Sequence, residues 1–510
     1  MYSDIALITR ETIGRWRLTG TIRALSPLHL GDGGEAKLSS RPKVASKGNY
    51  ATVFTAHDGK PILPGSSIKG ALRAWAEAHL PGNPLIPSLF GTLAEGSGLT
   101  FHDASLVRAV QPAQEEVGCS HWDAGRGTAI LAHVVIDPRT ASAAEKLLFH
   151  TEFVAAGSEF TFQITGQGVA EGVRKLLLFI LNHSFTSAAR PAVLGSEVAN
   201  GWGRVCWQPT RVEVLNLDAW LNSPPKPWTD ALTELTGPAR DAWLAPADLP
   251  VPGPSADSIT LHLTLQFQGH LLINDPTRKR EGDSRGRGAV GRAVIRCHDG
   301  KPYLPASSVR GAFRSRARRI WQTLAWDGSE DLNKALFTSA PRRGSQTSLA
   351  SFLKMFGATG WRSPLEFADF ELQGSESVQV KELVAIDRFT GCVAGEKKFN
   401  AYALFKPKFT GDVRIRTDRL ASAGAGDWTW LLLLYTLRDW IEGDGAIGSG
   451  PSKGWGRFRT SVRAQGAEPA GFIQKVLDRN PEALADPLLD KWQQSLLAEI
   501  GKGVRHGEVL

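Results

Sequence analysis

Apolar and polar residues alternate through Ser258-Ile-Thr-Leu-His-Leu-Thr-Leu-Gln-Phe267, the pattern of a strand with one face in a core. Thr52-Val-Phe-Thr-Ala-His-Asp-Gly-Lys-Pro-Ile-Leu63 predicts a hairpin, because Asp58-Gly59 is a favoured tight-turn pair. Val309, Phe313, Ala317 and Ile320 recur at helical spacing and predict a helix with one face toward a core. Arg174–Asn182 and Trp428–Trp440 are apolar nearly all round and predict buried helices. The longest apolar runs, Leu176–Leu181 and Leu431–Tyr435, fall far short of the roughly 20 residues a bilayer span needs. Met1–Leu25 is charged throughout with no apolar stretch, so no signal peptide is expected.

The pattern occurs twice. His57-Asp-Gly-Lys-Pro-Ile-Leu-Pro-Gly-Ser-Ser-Ile-Lys-Gly-Ala-Leu-Arg73 is answered by His298-Asp-Gly-Lys-Pro-Tyr-Leu-Pro-Ala-Ser-Ser-Val-Arg-Gly-Ala-Phe-Arg314. Leu89-Phe-Gly-Thr92 is answered by Met355-Phe-Gly-Ala358, and Val135-Ile-Asp-Pro-Arg-Thr140 by Ala385-Ile-Asp-Arg-Phe-Thr390. Last, Gly195-Ser-Glu-Val-Ala-Asn-Gly-Trp-Gly-Arg204 is answered by Gly448-Ser-Gly-Pro-Ser-Lys-Gly-Trp-Gly-Arg457. Landmarks recurring in one order mean two homologous domains. They are expected over 1–213 and 258–465, joined by a Pro- and Trp-rich linker, 214–257, and followed by a helical tail, 466–510. Mixed strands and helices, with a β-α unit early and late in each copy, predict α+β, ferredoxin-like domains.

Composition narrows the setting. The 510 residues exceed one compact core, and 42% hydrophobic with 22% charged residues describes a folded chain. Cys119, Cys206, Cys297 and Cys392 are scattered without a CxxC pair, against a thiolate zinc site or disulfide framework and in favour of a reducing cytoplasm. The net charge of +8 suits a polyanionic partner.

Candidate chemistry follows the repeats. Ser66 or Ser67 is placed to cap a helix whose free N–H groups favour phosphate, with Lys69 and Arg73 on one face beside it. The second copy offers Ser307, Ser308 and a stripe of Arg310, Arg314 and Arg318. A capped helix with a solvated face explains one copy alone; the recurrence favours backbone-phosphate binding. The glycine-rich turns suit a wall against sugar-phosphate, with Arg204, Lys453 and Arg457 as contacts. Trp202 and Trp455 are expected to be buried. Arg278–Arg296 carries seven Arg or Lys residues, including Arg285 and Arg287, and the acids Glu281 and Asp283, as expected of an arm that orders on RNA. No Gly-x(4)-Gly-Lys-Ser/Thr, His-Glu-x-x-His or Gly-x-Ser-x-Gly occurs. His29 sits in the first loop, as a structural residue or a general base.

Both copies resemble the RAMP superfamily of CRISPR-associated proteins, in particular backbone subunits of type III effector complexes. The carrying residues are Pro27-Leu-His-Leu-Gly31, Leu63-Pro-Gly-Ser-Ser-Ile-Lys-Gly-Ala-Leu-Arg73, Leu89-Phe-Gly91, Ile136-Asp-Pro-Arg-Thr140 with Glu152, Gly157-Ser-Glu-Phe160, Gly201-Trp-Gly-Arg204 and their second-copy counterparts. Two such units resemble the tandem backbone subunit of type III-D systems. The resemblance implies modified RNA-recognition folds that hold CRISPR guide RNA, with β-hairpin thumbs that kink it. It also implies other effector subunits as partners, no membrane, and single-stranded target RNA cut beside each kink. That cutting needs a divalent metal, Mg or Mn, and an aspartate in the loop after the first strand.

In the first copy that loop has Asp32 and Glu35 early and Lys47-Gly-Asn-Tyr50 where the family aspartate is expected, so this copy reads as a silent site. In the second, Asp283 is the first candidate and Asp275 the next. The metal ligands are unknown. The thumbs are expected to follow Asp137 and Asp387, with Arg139, Arg388, Lys397 and Lys398 as RNA contacts. The alternatives are a non-catalytic guide scaffold, a metal-independent repeat-RNA processing endonuclease using His29, and a generic basic RNA-binding protein.

Overall fold

The structure is a computed structural model that describes residues 14–40, 48–112, 122–137, 142–186, 191–222, 227–251, 257–274, 300–325, 351–358 and 360–506. The first module contains β1 (Arg15–Ala24), β2 (Gly31–Lys37), β3 (Asn49–Val53), β4 (Ile62–Leu63), β5 (Leu99–Phe101), β6 (Ala104–Arg108), β7 (Trp122–Asp123), β8 (Thr128–Asp137), β9 (Ser142–Phe153), β10 (Glu159–Gln167), β11 (Val205–Leu215) and β12 (Leu232–Glu234). Its helices are α1 (Gly65–His79), α2 (Ile86–Phe90), α3 (Glu171–Ser184), α4 (Leu217–Leu221) and α5 (Gly237–Trp243). The second contains β13 (Ser258–Phe267), β14 (His270–Leu271), β15 (Tyr303–Leu304), β16 (Leu365–Phe367), β17 (Phe370–Gln373), β18 (Val378–Ile386), β19 (Val393–Phe405), β20 (Lys408–Arg416), β21 (Gly445–Ala446) and β22 (Arg457–Gly466). Its helices are α6 (Ala306–Leu324), α7 (Ser351–Phe356), α8 (Thr417–Ser422), α9 (Trp428–Glu442), α10 (Ala470–Leu477), α11 (Pro481–Leu484) and α12 (Pro487–His506).

Each module is built on an antiparallel sheet, in the order β12-β11-β1-β10-β6-β4 and β15-β17-β20-β13-β22-β21, with β5 and β16 also pairing β10 and β20. The first strand of each copy therefore lies centrally, between the strand that precedes the long apolar helix and the strand that follows it. That is the α+β, ferredoxin-like arrangement the sequence predicts. Alternation sets the faces: Trp16, Leu18, Ile22 and Ala24 point inward from β1, and Ile259, Leu261, Leu263, Leu265 and Phe267 from β13. Helix α1 covers the first sheet with Ile68, Leu72, Trp75 and Ala76; α6 covers the second with Val309, Phe313, Ala317 and Trp321. Ile320, expected on that face, is half-buried at its flank, and Trp321 takes the core position.

The segments outside the repeats fold onto the modules. Strand β12 extends the first sheet, and Trp243 of α5 packs edge-on against Trp16 with ring centroids 5.3 Å apart. In the tail, Trp492, Leu496 and Ile500 of α12 enter the second core beside α9. No helix among the described residues is long and apolar enough to cross a membrane.

A second layer of strands leaves each core. In the first module the order is β2-β3-β9-β8-β7, in the second β14-β19-β18. The hairpins β8–β9 and β18–β19 dominate these sheets. Val135–Asp137 and Ala385–Thr390, expected ahead of the thumbs, instead form the far ends of these hairpins. Asp387 closes one end by accepting N–H bonds from Phe389 (2.8 Å) and Thr390 (2.9 Å).

Candidate nucleic-acid interface

The helix tips correct an expectation. Helix α1 starts at Gly65 after Pro64, and no serine side chain caps it. The Gly65 N–H donates to Asp103 Oδ1 at 2.8 Å, and in the second module the Ala306 N–H donates to Asp369 Oδ1 at 2.7 Å. Ser66, Ser67, Ser307 and Ser308 thus lie inside the first helical turn, and a carboxylate from the neighbouring sheet takes the place reserved for phosphate. The sequence carries this signal in the repeat of Phe101-His-Asp103 by Phe367-Ala-Asp369. Asp369 is half-buried at the junction. Burial raises its pKa to about 6, opposed by the Ala306 N–H and by Arg204 of the first module.

The two basic helix faces differ. Lys69 lies over the Phe101 ring at 5.8 Å, and exposed Arg73 pairs with Glu77 at 2.7 Å. In α6 the residue in register with Glu77 is Arg318, so Arg310, Arg314 and Arg318 form an all-positive row. Burial lowers the pKa of Arg310 and Arg314, and each is lowered further by the next arginine along. Arg310 donates to the Phe356 carbonyl at 2.8 Å and to Asn200 Oδ1 of the first module at 3.4 Å.

Asn200 belongs to the glycine-rich turn Gly195–Arg204, so the first module's turn docks on the second module's helix. Ser196, Glu197 and Asn200 on one side and Arg310, Arg314 and Trp361 on the other line a cleft of about 390 Å³. The glycines serve packing: at φ 87° a Cβ on Gly195 would lie 2.3 Å from the His29 carbonyl oxygen. Arg204 is exposed and faces Asp369 and Arg414 across the junction. Its counterpart Arg457 lines an open cavity of about 720 Å³ with Arg319 and Arg438. Trp202 is buried as expected, whereas Trp455 is half-buried against His270.

His29 is 7% exposed, and its Nδ1–H donates to the Glu152 carbonyl at 2.6 Å. It lies inside the first-loop framework, bonded to the chain's own backbone, as the structural reading expects. The same Glu152 has a fully buried carboxylate that accepts from Val53 N–H (3.0 Å), Thr128 Oγ1 (2.7 Å) and Arg126 Nε (3.2 Å).

These paired sheets, capped helices and glycine turns coincide with a family model, that of the RAMP superfamily, over residues 21–206 and 252–459. The chain belongs to the RAMP superfamily. The two modules share the strand order β11-β1-β10-β6-β4 and β22-β13-β20-β17-β15, and differ in the edge strand beyond it, β12 in one and β21 in the other. No curated protein matches. Among solved structures, a chain in "Cryo-EM structure of the Type III-B Cmr-beta bound to cognate target RNA" is 16% identical with a TM-score of 0.28. That match covers 40% of this RAMP chain and 62% of the other, so it spans less than two thirds of that chain.

Of the candidate carboxylates, Asp275 and Asp283 lie outside the described residues, as do Arg139, Arg285 and Arg287. Asp32 is exposed at the start of β2. Its Oδ1 accepts from Thr52 Oγ1 at 2.6 Å and Gly34 N–H at 2.8 Å, and the Thr52 bond leads in holding its pKa below the usual value. Among the described residues no group of three His, Cys, Asp or Glu is placed to hold a metal ion. Asp32 by itself does not make a divalent-metal centre.

The feature missed in the sequence is at the hairpin ends. Phe389 is fully exposed beside exposed Arg388, and Val378, Val380, Val384 and Ile386 are exposed on one face of β18, with Glu382 between them. Val134, Val135, Ile136, Leu148 and Phe149 are also exposed on β8–β9, spread over both of its faces. Lys397 and Lys398 lie on β19. Asp-Arg-Phe-Thr-Gly is itself a turn sequence with an aromatic at its centre, which was the available signal.

Proposed function

We propose that this chain is a backbone subunit of a type III CRISPR effector complex that holds guide RNA and kinks the guide–target duplex. The observation that carries the reading is the pair of long hairpins, one per RAMP module, whose outer halves expose apolar side chains and, at one end, Phe389 beside Arg388. Exposed apolar clusters of this kind mark interaction sites, and an aromatic beside a cation suits a base face and a phosphate. The net charge of +8, the Arg314 row and the face of half-buried Lys69 and exposed Arg73 supply the backbone-phosphate attraction. The decisive experiment is isolation of the chain with its effector complex and sequencing of the bound RNA. Guide RNA of uniform length supports the reading, and an RNA population matching the bulk transcriptome overturns it.

Cleavage of target RNA from the second module is part of this proposal, with Asp283 as the first candidate, Asp275 the second and Asp32 the third, using Mg or Mn. Asp283→Ala in a reconstituted complex should abolish one cut while guide binding persists. Unchanged cleavage moves the role to Asp275 or Asp32. Intact target in the presence of either metal leaves the chain as a scaffold, a reading favoured in the first module by the hydrogen-bonded Asp32.

A further inference from the structure

Trp75 of α1 and Arg316 of α6 hold the same place in the repeat, as do Arg73 and Arg314. In the first module Trp75 is buried in the core and stacks on His79, with ring centroids 4.4 Å apart. In the second, Arg316 stands where the indole fills space, and a cavity of about 720 Å³ opens between α6 and α9. Volume is withdrawn there and charge is put in its place.

That charge is fixed by a buried acid. Asp439 of α9, 8% exposed, accepts from Arg316 Nε at 2.6 Å and from Arg438 Nη2 at 3.1 Å. Asp444 accepts from Arg316 Nη2 at 3.0 Å. One carboxylate therefore holds two guanidinium groups in place, the preorganisation that an anion site needs. Glu442 lines the same cavity, and Arg479 of the tail donates to it at 3.0 Å. Arg319 is exposed on the wall and makes no ion pair among the described residues. Each acid thus has a cation, and Arg319 remains as surplus positive charge.

The rest of the wall is mixed. Ile320 and Leu324 present apolar surface, and half-buried Tyr435 holds its ring centroid 5.3 Å from the Arg438 guanidinium. Inorganic phosphate needs no such surface, and an apolar ligand needs no such charge. A planar ring joined to a phosphate uses both, and the volume suits a ligand of that size.

We propose that this cavity is a binding site for a nucleoside phosphate, with the base on the Tyr435 side and the phosphate on Arg319 and Arg438. A free mononucleotide and the phosphorylated end of an RNA strand share this chemistry. The inference rests on α6 and α9 and not on the hairpin ends or the candidate aspartates, so its failure leaves the guide-RNA reading standing.

The test is isothermal titration calorimetry of the full chain, freed of nucleic acid, with AMP as probe and adenosine and inorganic phosphate as controls. AMP should bind at one site per chain, at least about tenfold more tightly than either control, because only AMP engages both kinds of wall. Arg319→Ala has no ion pair to lose, so its melting temperature should hold while AMP affinity falls about tenfold. Tyr435→Ala should weaken AMP by about fivefold or more, and Tyr435→Phe, which keeps the ring, should bind like wild type. Competition then names the source. A short RNA whose 5′-phosphate form displaces AMP better than its 5′-hydroxyl form, and better than AMP itself, marks a strand end; no such advantage marks a free nucleotide. AMP that fails to bind at millimolar concentration overturns the proposal. So does AMP binding that the folded Arg319→Ala and Tyr435→Ala variants leave unchanged, phosphate that binds as tightly as AMP, or an acidic peptide that binds through Arg319 where AMP does not.

Discussion

Arg310 of the second module reaches Asn200 of the first at 3.4 Å while its other terminal nitrogen holds the Phe356 carbonyl at 2.8 Å. One guanidinium thus ties a helix, the turn after α7 and the neighbouring module together. Removing it leaves a half-buried carbonyl and amide oxygen without that donor. Arg310→Ala is expected to destabilise the chain by about 1–3 kcal/mol, and Arg310→Lys to recover little, since one ammonium cannot serve both acceptors in that geometry. Chemical denaturation measures the loss, and faster proteolysis between the modules locates it.

Asp369 gives the protein a pH dependence of known sign. Its pKa is raised from 3.8 to about 6 by burial, so in the folded chain it keeps its proton longer than in the unfolded chain. Stability from this group is intact below pH 3.8 and falls as pH rises toward 6, above which the cost of the buried charge is fully present. Arg204 facing it moderates that cost. Asp369→Asn keeps an oxygen for the Ala306 N–H and removes the charge. The variant should match or exceed wild-type stability at pH 7.5, by at most about 3 kcal/mol, and flatten the slope between pH 4 and 6. Thermal denaturation across that range checks it.

Glu152 is the acceptor hub under the first loop. Glu152→Ala strips acceptors from Val53 N–H, Thr128 and Arg126 in a buried site, and a loss of about 3 kcal/mol is expected. Glu152→Gln, which keeps the shape and one carbonyl oxygen, should lose less. Melting curves of the two variants separate loss of charge from loss of all acceptors.

Phe389 has no packing to lose. Phe389→Ala should leave the melting temperature unchanged and weaken RNA binding by about 1–3 kcal/mol, the worth of one stacked base. Phe389→Trp should bind at least as well as wild type. Filter binding at fixed salt reads both, and an unaltered affinity in the alanine variant would take the hairpin end out of the interface.

Much of the site was hidden from the chain read in one dimension. The repeated Pro-x-Ser-Ser helix start pointed to a capping serine, but a helix N-terminus accepts whichever acceptor the fold brings nearest. The β5–β6 and β16–β17 turns bring Asp103 and Asp369. The shared basic stripe pointed to two equal phosphate tracks. Equality fails at Glu77 against Arg318, which is visible in the letters, and at Arg310, which is not, because its partner Asn200 comes from the other module.

The sequence by itself determined what depends on neighbours along the chain: two copies, alternating strands, the hairpin at Asp58-Gly59, and helices with one apolar face. Local periodicity and turn chemistry are enough for these. Only the tertiary structure decided which of two similar surfaces is covered and which is open. Gly201 and Gly454 are the same letter in the same motif; packing against Phe367 covers one and leaves the other exposed. That difference arises from contacts between residues far apart in the chain, where burial and charge, rather than motif, set what each residue can do.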